Sequence, residues 1–322
     1  VSAGTYNVTI TDFNSCSAVS TVTITEPTAV TASLAGTNIT CFAGIDGTAT
    51  ASGAGGTGAA YTFVWSTTAA TTATITGQSA GTVNVTVSDV NGCSDVNTVT
   101  LTQPAATVVA SVTVTSNFNG SDISCNGVCD GEVTASASGG TLPYTYLWSN
   151  GQTTTIATGL CVGTATVTIS DNGACSSTAT VTLTEPSAVT ATITASTDAS
   201  CNTAADGTAT AAGSGGTATY TFLWDDLGAQ TTATATGLAA GIYTTTITDI
   251  NGCFNTVSVT ITEPSAVTAT ATVSSNYNGS EISCNAGTDG ELTAIGAGGT
   301  GPYTFLWDAA GQTTAIATGV SA

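Results

Sequence analysis

The chain has 322 residues and a formal net charge of -20, with no Lys, Arg, His or Met. Charged residues make up 6% of it, against about 25% in ordinary soluble domains. These figures exclude most general-base and nucleophile-activating arrangements, the cationic contacts that nucleic-acid binding needs, and Lys-based intramolecular cross-links.

Residues 1–27 read as the C-terminal part of one repeating unit. Tyr6, Val8 and Ile10 alternate with polar residues, and Thr25-Glu26-Pro27 closes the segment. Residues 28–104 form a first whole unit. Apolar and small polar residues alternate there in short runs separated by Gly and Asn clusters, which predicts strands at about 29–35, 47–53, 61–66, 72–77, 82–88 and 97–102. Tyr61, Phe63 and Trp65 share one face by the period of two, as do Val83, Val85 and Val87, and these faces are the expected core. Val99 and Leu101 face inward from the last strand, while Thr, the commonest residue, fills the outward positions. Residues 105–186 and 187–264 repeat the pattern, and 265–322 repeat its N-terminal part. No stretch sustains a helical period.

The unit recurs about every 80 residues. Trp65, Trp148, Trp224 and Trp307 end equivalent Tyr-to-Trp strands, and Pro27, Pro104, Pro186 and Pro264 close equivalent segments. A longer period of 159 is superimposed: Asn117-Phe118-Asn119-Gly120-Ser121 returns as Asn276-Tyr277-Asn278-Gly279-Ser280. Alternate units therefore resemble each other more than neighbours do. Val-Ser-Ala stands at both ends, which reads as a window on a longer array; the other reading is half-units that complement each other between chains. The fold class is all-β, with tandem β-sandwich domains in a linear array. No apolar run approaches the ~20 residues of a membrane span, so direct membrane insertion is not expected. A signal peptide's basic n-region cannot occur here, which places any targeting segment outside these residues.

The 10 cysteines fall into two sets. Cys41, Cys125, Cys201 and Cys284 precede an Asp-Gly. Cys16, Cys93, Cys175 and Cys253 end an Asp-x-Asn-x-Cys-like turn. Cys129 and Cys161 occur only in the second unit. Such spacing reads as disulfides in an oxidising compartment. Pairing within a unit is expected, as Cys41–Cys93, Cys125–Cys175, Cys201–Cys253 and Cys129–Cys161. The rival scheme pairs across each linker, as Cys16–Cys41, Cys93–Cys125, Cys175–Cys201 and Cys253–Cys284.

Several segments together carry a family pattern. In the third unit it runs Cys201, Asp206-Gly207, Gly215-Gly216-Thr217, Tyr220 to Trp224, Gly237 to Gly241, Asp249 to Cys253 and Thr262-Glu263-Pro264. This resembles the SprB repeat, found in very large surface adhesins of gliding Bacteroidetes. The resemblance covers essentially the whole chain. It implies extracellular, cell-surface, immunoglobulin-like or PKD-like sandwiches, export by a type IX secretion system and a role in adhesion or gliding. The second unit departs in Asp171-Asn172-Gly173-Ala174-Cys175, where the Gly is shifted, and Thr102-Gln103-Pro104 lacks the Glu.

The candidate functional residues are oxygen donors. Asp12, Asp89, Asp171 and Asp249 occupy equivalent turns, and Asp46, Asp130, Asp206 and Asp289 precede Gly in another set. With neighbouring Asn and carbonyl groups they are candidate Ca²⁺ ligands; the alternative is that they simply make turns. The paired Asp225-Asp226 reads as a solvated turn and not as a glycosidase pair. No catalytic residue is expected. The leading expectation is a structural stalk or filament segment of an extracellular adhesin, partnered by adjacent repeats or identical filament subunits. The alternative is a glycan-binding array whose Thr and Asn surfaces meet surface glycans directly.

Overall fold

The computed structural model describes residues 1–58, 60–308 and 311–322. Alternation with a period of two leaves no helical face, and every element of three residues or more among the described residues is a strand. A hairpin comes first, β1 (Gly4–Thr11) and β2 (Ser17–Ile24). The first full set follows as β3 (Thr31–Thr37), β4 (Gly47–Ala54), β5 (Thr62–Trp65), β6 (Thr74–Gln78), β7 (Gly81–Ser88) and β8 (Ser94–Leu101). These make two antiparallel three-stranded sheets, β3-β4-β6 and β5-β7-β8.

The second set is β9 (Val109–Val114), β10 (Gly131–Ser138), β11 (Thr145–Trp148), β12 (Ile156–Leu160), β13 (Gly163–Ser170) and β14 (Ser176–Leu183). The third is β15 (Thr190–Thr197), β16 (Gly207–Ser214), β17 (Tyr220–Trp224), β18 (Thr234–Leu238), β19 (Gly241–Asp249) and β20 (Phe254–Ile261). Both repeat the same two strand orders. The fourth holds β21 (Thr268–Val273), β22 (Gly290–Ala297) and β23 (Ile316–Val320) in one sheet. Tyr303–Trp307 is not a strand there. Its counterparts β5 and β17 pair with strands that begin some twenty residues downstream, and the corresponding positions lie past residue 322.

The chain forms two compact units. One comprises Val1–Thr113, Val133–Ala157 and Thr164–Thr182; the other comprises Val114–Glu132, Thr158–Gly163 and Leu183–Ala322. Each holds one complete sandwich core. In the first, Trp65 packs with Ala49, Ala51, Ile75, Val83, Val85, Val87 and Leu101. In the second, Trp224 packs with Ala209, Ala211, Ala235, Leu238, Ile247 and Ile261. Alanines on the facing strand leave room for the one large ring, so a thin core reaches close packing with few big residues. The indole N–H is not orphaned by burial: Trp65 Nε1 donates to the Thr72 carbonyl at 3.0 Å, and Trp224 Nε1 donates to that of Thr232 at 3.0 Å.

Loop positions follow from the register. Gly47, at the start of β4, and Leu101, at the end of β8, lie at one pole of the first sandwich. There Ile39 N–H donates to the Thr102 carbonyl and Ala43 N–H to Gln103 Oε1. The β7–β8 turn lies at the other pole, where Thr57 N–H donates to Asp89. Eight-residue strands set the two poles about 26 Å apart.

Thr245 breaks the core pattern. It stands where the first sandwich has Val85 and the second Val167, it is fully buried, and its hydroxyl has no hydrogen-bond partner among the described residues. Thr245→Val keeps the shape and removes a desolvated hydroxyl, so it is expected to raise unfolding stability by about 1–2 kcal/mol in a denaturant titration. A loss of stability would mean that the hydroxyl is satisfied.

Candidate functional site

The site is the joint between successive sandwiches, built from three loops. The first carries the Asp-x-Asn-x-Cys-like turn. Asp89 Oδ1 accepts the N–H groups of Asn91 and Cys93 at 3.1 and 2.9 Å, and its Oδ2 accepts the N–H and hydroxyl of Thr57. Asp171 and Asp249 are held in the same way by Gly173, Cys175 and Thr141 and by Asn251, Cys253 and Thr217. All three are buried. Glycine precedes the Thr because the carboxylate comes close: a Cβ on Gly56 would lie 2.7 Å from Asp89 Oδ2, and the residue has φ +71°. Asp12 accepts from Asn14 and Cys16 with Oδ1 and is exposed.

The second loop carries the other cysteine set. Asp46 accepts the N–H and hydroxyl of Thr40, Asp206 accepts both from Ser200, Asp130 accepts the N–H of Ser124, and Asp289 accepts that of Ser283. The third segment is the closing Thr-Glu-Pro. Glu185 accepts from Asn126 Nδ2 and Gly127 N–H at 2.9 and 2.7 Å, and Glu263 accepts from Asn202 Nδ2 and Thr203 N–H at 2.9 and 2.6 Å. Gln103 keeps one such contact through its Oε1, which explains how the first unit tolerates the missing Glu.

The cysteines join across these loops. Cys41 bonds Cys175 with Cα atoms 5.7 Å apart, and Cys125 bonds Cys253 with Cα atoms 5.6 Å apart. Cys129 bonds Cys161 within the second unit. The expected pairs Cys41–Cys93, Cys125–Cys175 and Cys201–Cys253 do not form, and neither does any pair of the cross-linker scheme. The reason is polar separation. Cys41 and Cys93 sit at opposite poles of one sandwich, as do Cys201 and Cys253, whereas a disulfide needs Cα atoms within about 7 Å. Chain exit at one pole brings the Cys41 loop against the next unit's Asp171 turn. Cys16, Cys93, Cys201 and Cys284 are exposed free thiols.

The two joints differ. At the first, Gly173 lies against the preceding unit, where a Cβ would be 2.8 Å from the Thr40 carbonyl. This close approach accounts for the shifted glycine. At the second, Asn251 Nδ2 donates to the carbonyls of Phe118 and Ser124 at 3.2 and 3.3 Å, and Asn119 Nδ2 donates to Asn251 Oδ1 at 2.6 Å. The Asn117–Ser121 turn that receives Asn251 belongs to the 159-residue period. The alternation in sequence is thus an alternation of joint chemistry, which inspection of single units does not show.

A family model described as the SprB repeat matches residues 34–70, 117–153, 193–229 and 276–312. The chain contains four SprB repeats. Each match takes in one Asp-Gly cysteine and the Tyr-to-Trp segment. No curated protein sequence matches the chain. Among solved structures, it is similar to three N-terminal domains of the Highly Immunogenic Outer Capsid protein of bacteriophage RB49, at 16% identity over 73% of this chain and 99% of that one, with a TM-score of 0.34. It is also similar to the N-terminal eight Ig domains of Down Syndrome Cell Adhesion Molecule isoform 1.30.30, at 10% identity over 92% of this chain and 55% of that one, with a TM-score of 0.26. Three of the repeats are sandwiches of two three-stranded sheets, and the fourth holds one three-stranded sheet among the described residues.

The SprB carboxylates are engaged by the protein's own donors. Among the described residues no three acidic or cysteine side chains converge on one point. Asp225 and Asp226 also serve turns: Asp225 accepts from Thr244 N–H, and Asp226 from Gly228 and Gln230. Melting temperature is therefore expected to be equal in EDTA and in millimolar Ca²⁺. A drop on chelation would instead place a cation among Asp12, Asp46, Asp89, Asp130, Asp171, Asp206, Asp249 and Asp289.

The same bonds make the fold acid-sensitive. The Thr141 N–H is the main influence holding Asp171 below its ordinary 3.8, against the upward push of burial, and Cys175 and Gly173 add to it. Around Asp89 burial is the largest single influence and pushes upward, but the donors of Thr57, Cys93 and Asn91 together outweigh it. Hydroxyl donation from Thr40 and Ser200 lowers Asp46 and Asp206. Folded values below the unfolded one mean stability that is complete above about pH 4 and lost as pH falls through the folded values. Unfolding midpoints should be flat between about pH 7 and 5 and fall below about pH 4, with a shallower fall in Asp171→Asn. A midpoint that rises on acidification would show that relief of charge repulsion dominates.

Proposed function

We propose that the chain is a load-bearing segment, a stalk or filament, of an extracellular surface protein serving attachment or gliding, with repeating domains at 28–104, 105–186 and 187–264. The observation that carries this reading is the pair of staples across successive joints. They fit an oxidising, extracellular setting. The absence of Lys and Arg supports the same setting by removing trypsin-type cleavage sites.

The staples define a covalent route that bypasses most of the chain. From Cys41 it crosses to Cys175, runs back along β13 to Cys161, crosses to Cys129, and passes from Cys125 to Cys253. Only 18 residue-to-residue steps lie on this route, 14 from Cys175 to Cys161 and 4 from Cys129 to Cys125, against 212 along the backbone from Cys41 to Cys253. The Cys129–Cys161 bond has a clear part in it, since without that bond the route through the second repeat needs the 50 residues from Cys125 to Cys175. Under load, tension bears on sulfur bridges and one strand, and unfolding of a sandwich releases little length.

Single-molecule stretching tests this. At about 3.4 Å per residue the Cys41–Cys253 segment should extend to roughly 60 Å when oxidised, roughly 170 Å in a Cys129→Ser/Cys161→Ser double variant, and roughly 720 Å when reduced. Equal extension in oxidised and reduced protein would remove the load-bearing reading.

A further inference from the structure

Three Asn-Gly dipeptides, at Asn119, Asn126 and Asn251, converge on the second joint. In Asn-Gly an asparagine amide is readily lost, because glycine has no side chain to hinder attack of its backbone nitrogen on the preceding Cγ. At this joint such amides carry the contact. Asn251 Nδ2 is shared among the carbonyls of Phe118 and Ser124 and Thr217 Oγ1, at 3.2, 3.3 and 3.2 Å, and Asn251 Oδ1 accepts from Asn119 Nδ2 at 2.6 Å. Asn126 Nδ2 donates to Glu185 Oε1 and to the Pro186 carbonyl. The first joint is built differently. Counted from its bonded cysteines, Gly173 occupies the place of Asn251, and Phe42 that of Asn126.

The closed joint also blocks the loss of ammonia. Attack requires the Asn251 side chain to swing its Cγ over the Gly252 nitrogen, and that nitrogen to give up its proton. The side chain is pinned at both ends by the bonds above, and the Gly252 N–H donates to the Asp249 carbonyl at 3.1 Å. The Gly120 and Gly127 N–H groups are held likewise, by Asn117 Oδ1 at 2.8 Å and by Glu185 Oε2 at 2.7 Å. Phe118, Asn119 and Ser124 all belong to the preceding repeat, so opening the joint removes most of what pins Asn251.

We propose that Asn251-Gly252 is a latent deamidation site, and that its reaction with water makes opening of the second joint irreversible. The Gly252 nitrogen bonds to Asn251 Cγ and gives up its proton, the Cγ–Nδ2 bond breaks, and ammonia leaves with that proton. Water then opens the cyclic imide at one of its two carbonyls, giving aspartate or isoaspartate. One water is consumed for each ammonia released, and nothing is oxidised or reduced. The product is an anion with no hydrogen to donate, set against the two carbonyls that held the amide in a half-buried loop. Asp249, which accepts the Asn251 N–H, and Asp130, which accepts the Ser124 N–H, add like charge. The Cys125–Cys253 bridge still ties the two repeats, so the joint loosens without parting. This chemistry is independent of any load the chain bears.

The test uses the whole 322-residue chain. Aged at mildly alkaline pH and mapped with a non-tryptic protease, the reduced chain should gain aspartate and isoaspartate at Asn251 at least about tenfold faster than the oxidised chain, because losing the bridge raises the population of the open joint. Cys125→Ser with Cys253→Ser should show the faster rate without reductant. Asn150-Gly151, in the exposed turn after β11, should react equally in the oxidised chain and this variant. Asn251→Asp, the reaction product, should lower hydrogen-exchange protection of the Phe118 and Ser121 amides, which bond each other's carbonyls, by about tenfold near pH 7. Part of that protection should return between about pH 7 and 5, because a carboxyl facing carbonyls and carboxylates titrates above its usual range and donates once protonated. Asn251→Ala should show the loss without that pH dependence. Equal Asn251 rates in the oxidised chain and the cysteine variant, an inert Asn251 in the reduced chain where Asn150 reacts, or undiminished protection in Asn251→Asp would overturn the proposal.

Discussion

The two poles of a SprB sandwich lie one strand length apart, and no disulfide spans that distance. With one cysteine at each pole, a repeat cannot close on itself and must bond to its neighbours. The joint chemistry, the short covalent route and the placement of the free thiols all follow from this. A sandwich with both cysteines at one pole would stabilise itself and leave the array held only by peptide linkers. In this chain the staple energy is spent on continuity between domains, while each thin core relies on one Trp set against alanines.

A second constraint is the absence of any cationic side chain. Buried carboxylates in most proteins find Arg or Lys; here they find backbone N–H groups and hydroxyls. Asp89 takes four such donors from two segments that are 32 residues or more apart. Each turn carboxylate therefore does the work of a salt bridge, fixing the Cys turn to the glycine pair of another strand, without needing a counter-charge. The short-chain hydroxyl donors beside Asp46 and Asp206 serve the opposite pole in the same way.

The alternation of repeats gives the array two kinds of joint. One is made by backbone approach at Gly173. The other is made by Asn251 reaching the Asn117–Ser121 turn, and it lies beside the extra Cys129–Cys161 bridge. That bridge sits where the covalent route would otherwise detour through the loops and sheets of the second repeat, and it stands apart from the alternation, because the fourth repeat has Thr288 and Ser321 at the matching positions.

Much of this was legible in the residues. Period-two alternation put Tyr61, Phe63, Trp65, Val83, Val85 and Val87 on inner faces, and the spacing of Trp and Pro set out the repeats. Strand positions in the first unit came within a few residues, because Gly and Asn clusters bound each run. Local sequence also determined that the Asp turns would form, since the Asp Oδ1 contacts lie only two and four residues away. Of the expected cysteine pairs only Cys129–Cys161 was legible; the partners of Cys41, Cys125, Cys175 and Cys253 were not. Spacing along the chain favours the nearest cysteine, whereas bonding depends on which pole each loop occupies, and that is set by strand order and register. Local alternation sets which face of β1 carries Tyr6, Val8 and Ile10, while burial of such a face, as at Val83, Val85 and Val87, depends on a facing sheet. Sequence alone determined the period, the strands and the turns, all of which depend on neighbours within a few residues. Tertiary structure decided the two disulfides between repeats and the joints, because these join residues more than 120 positions apart whose proximity arises only when one sandwich is set against the next.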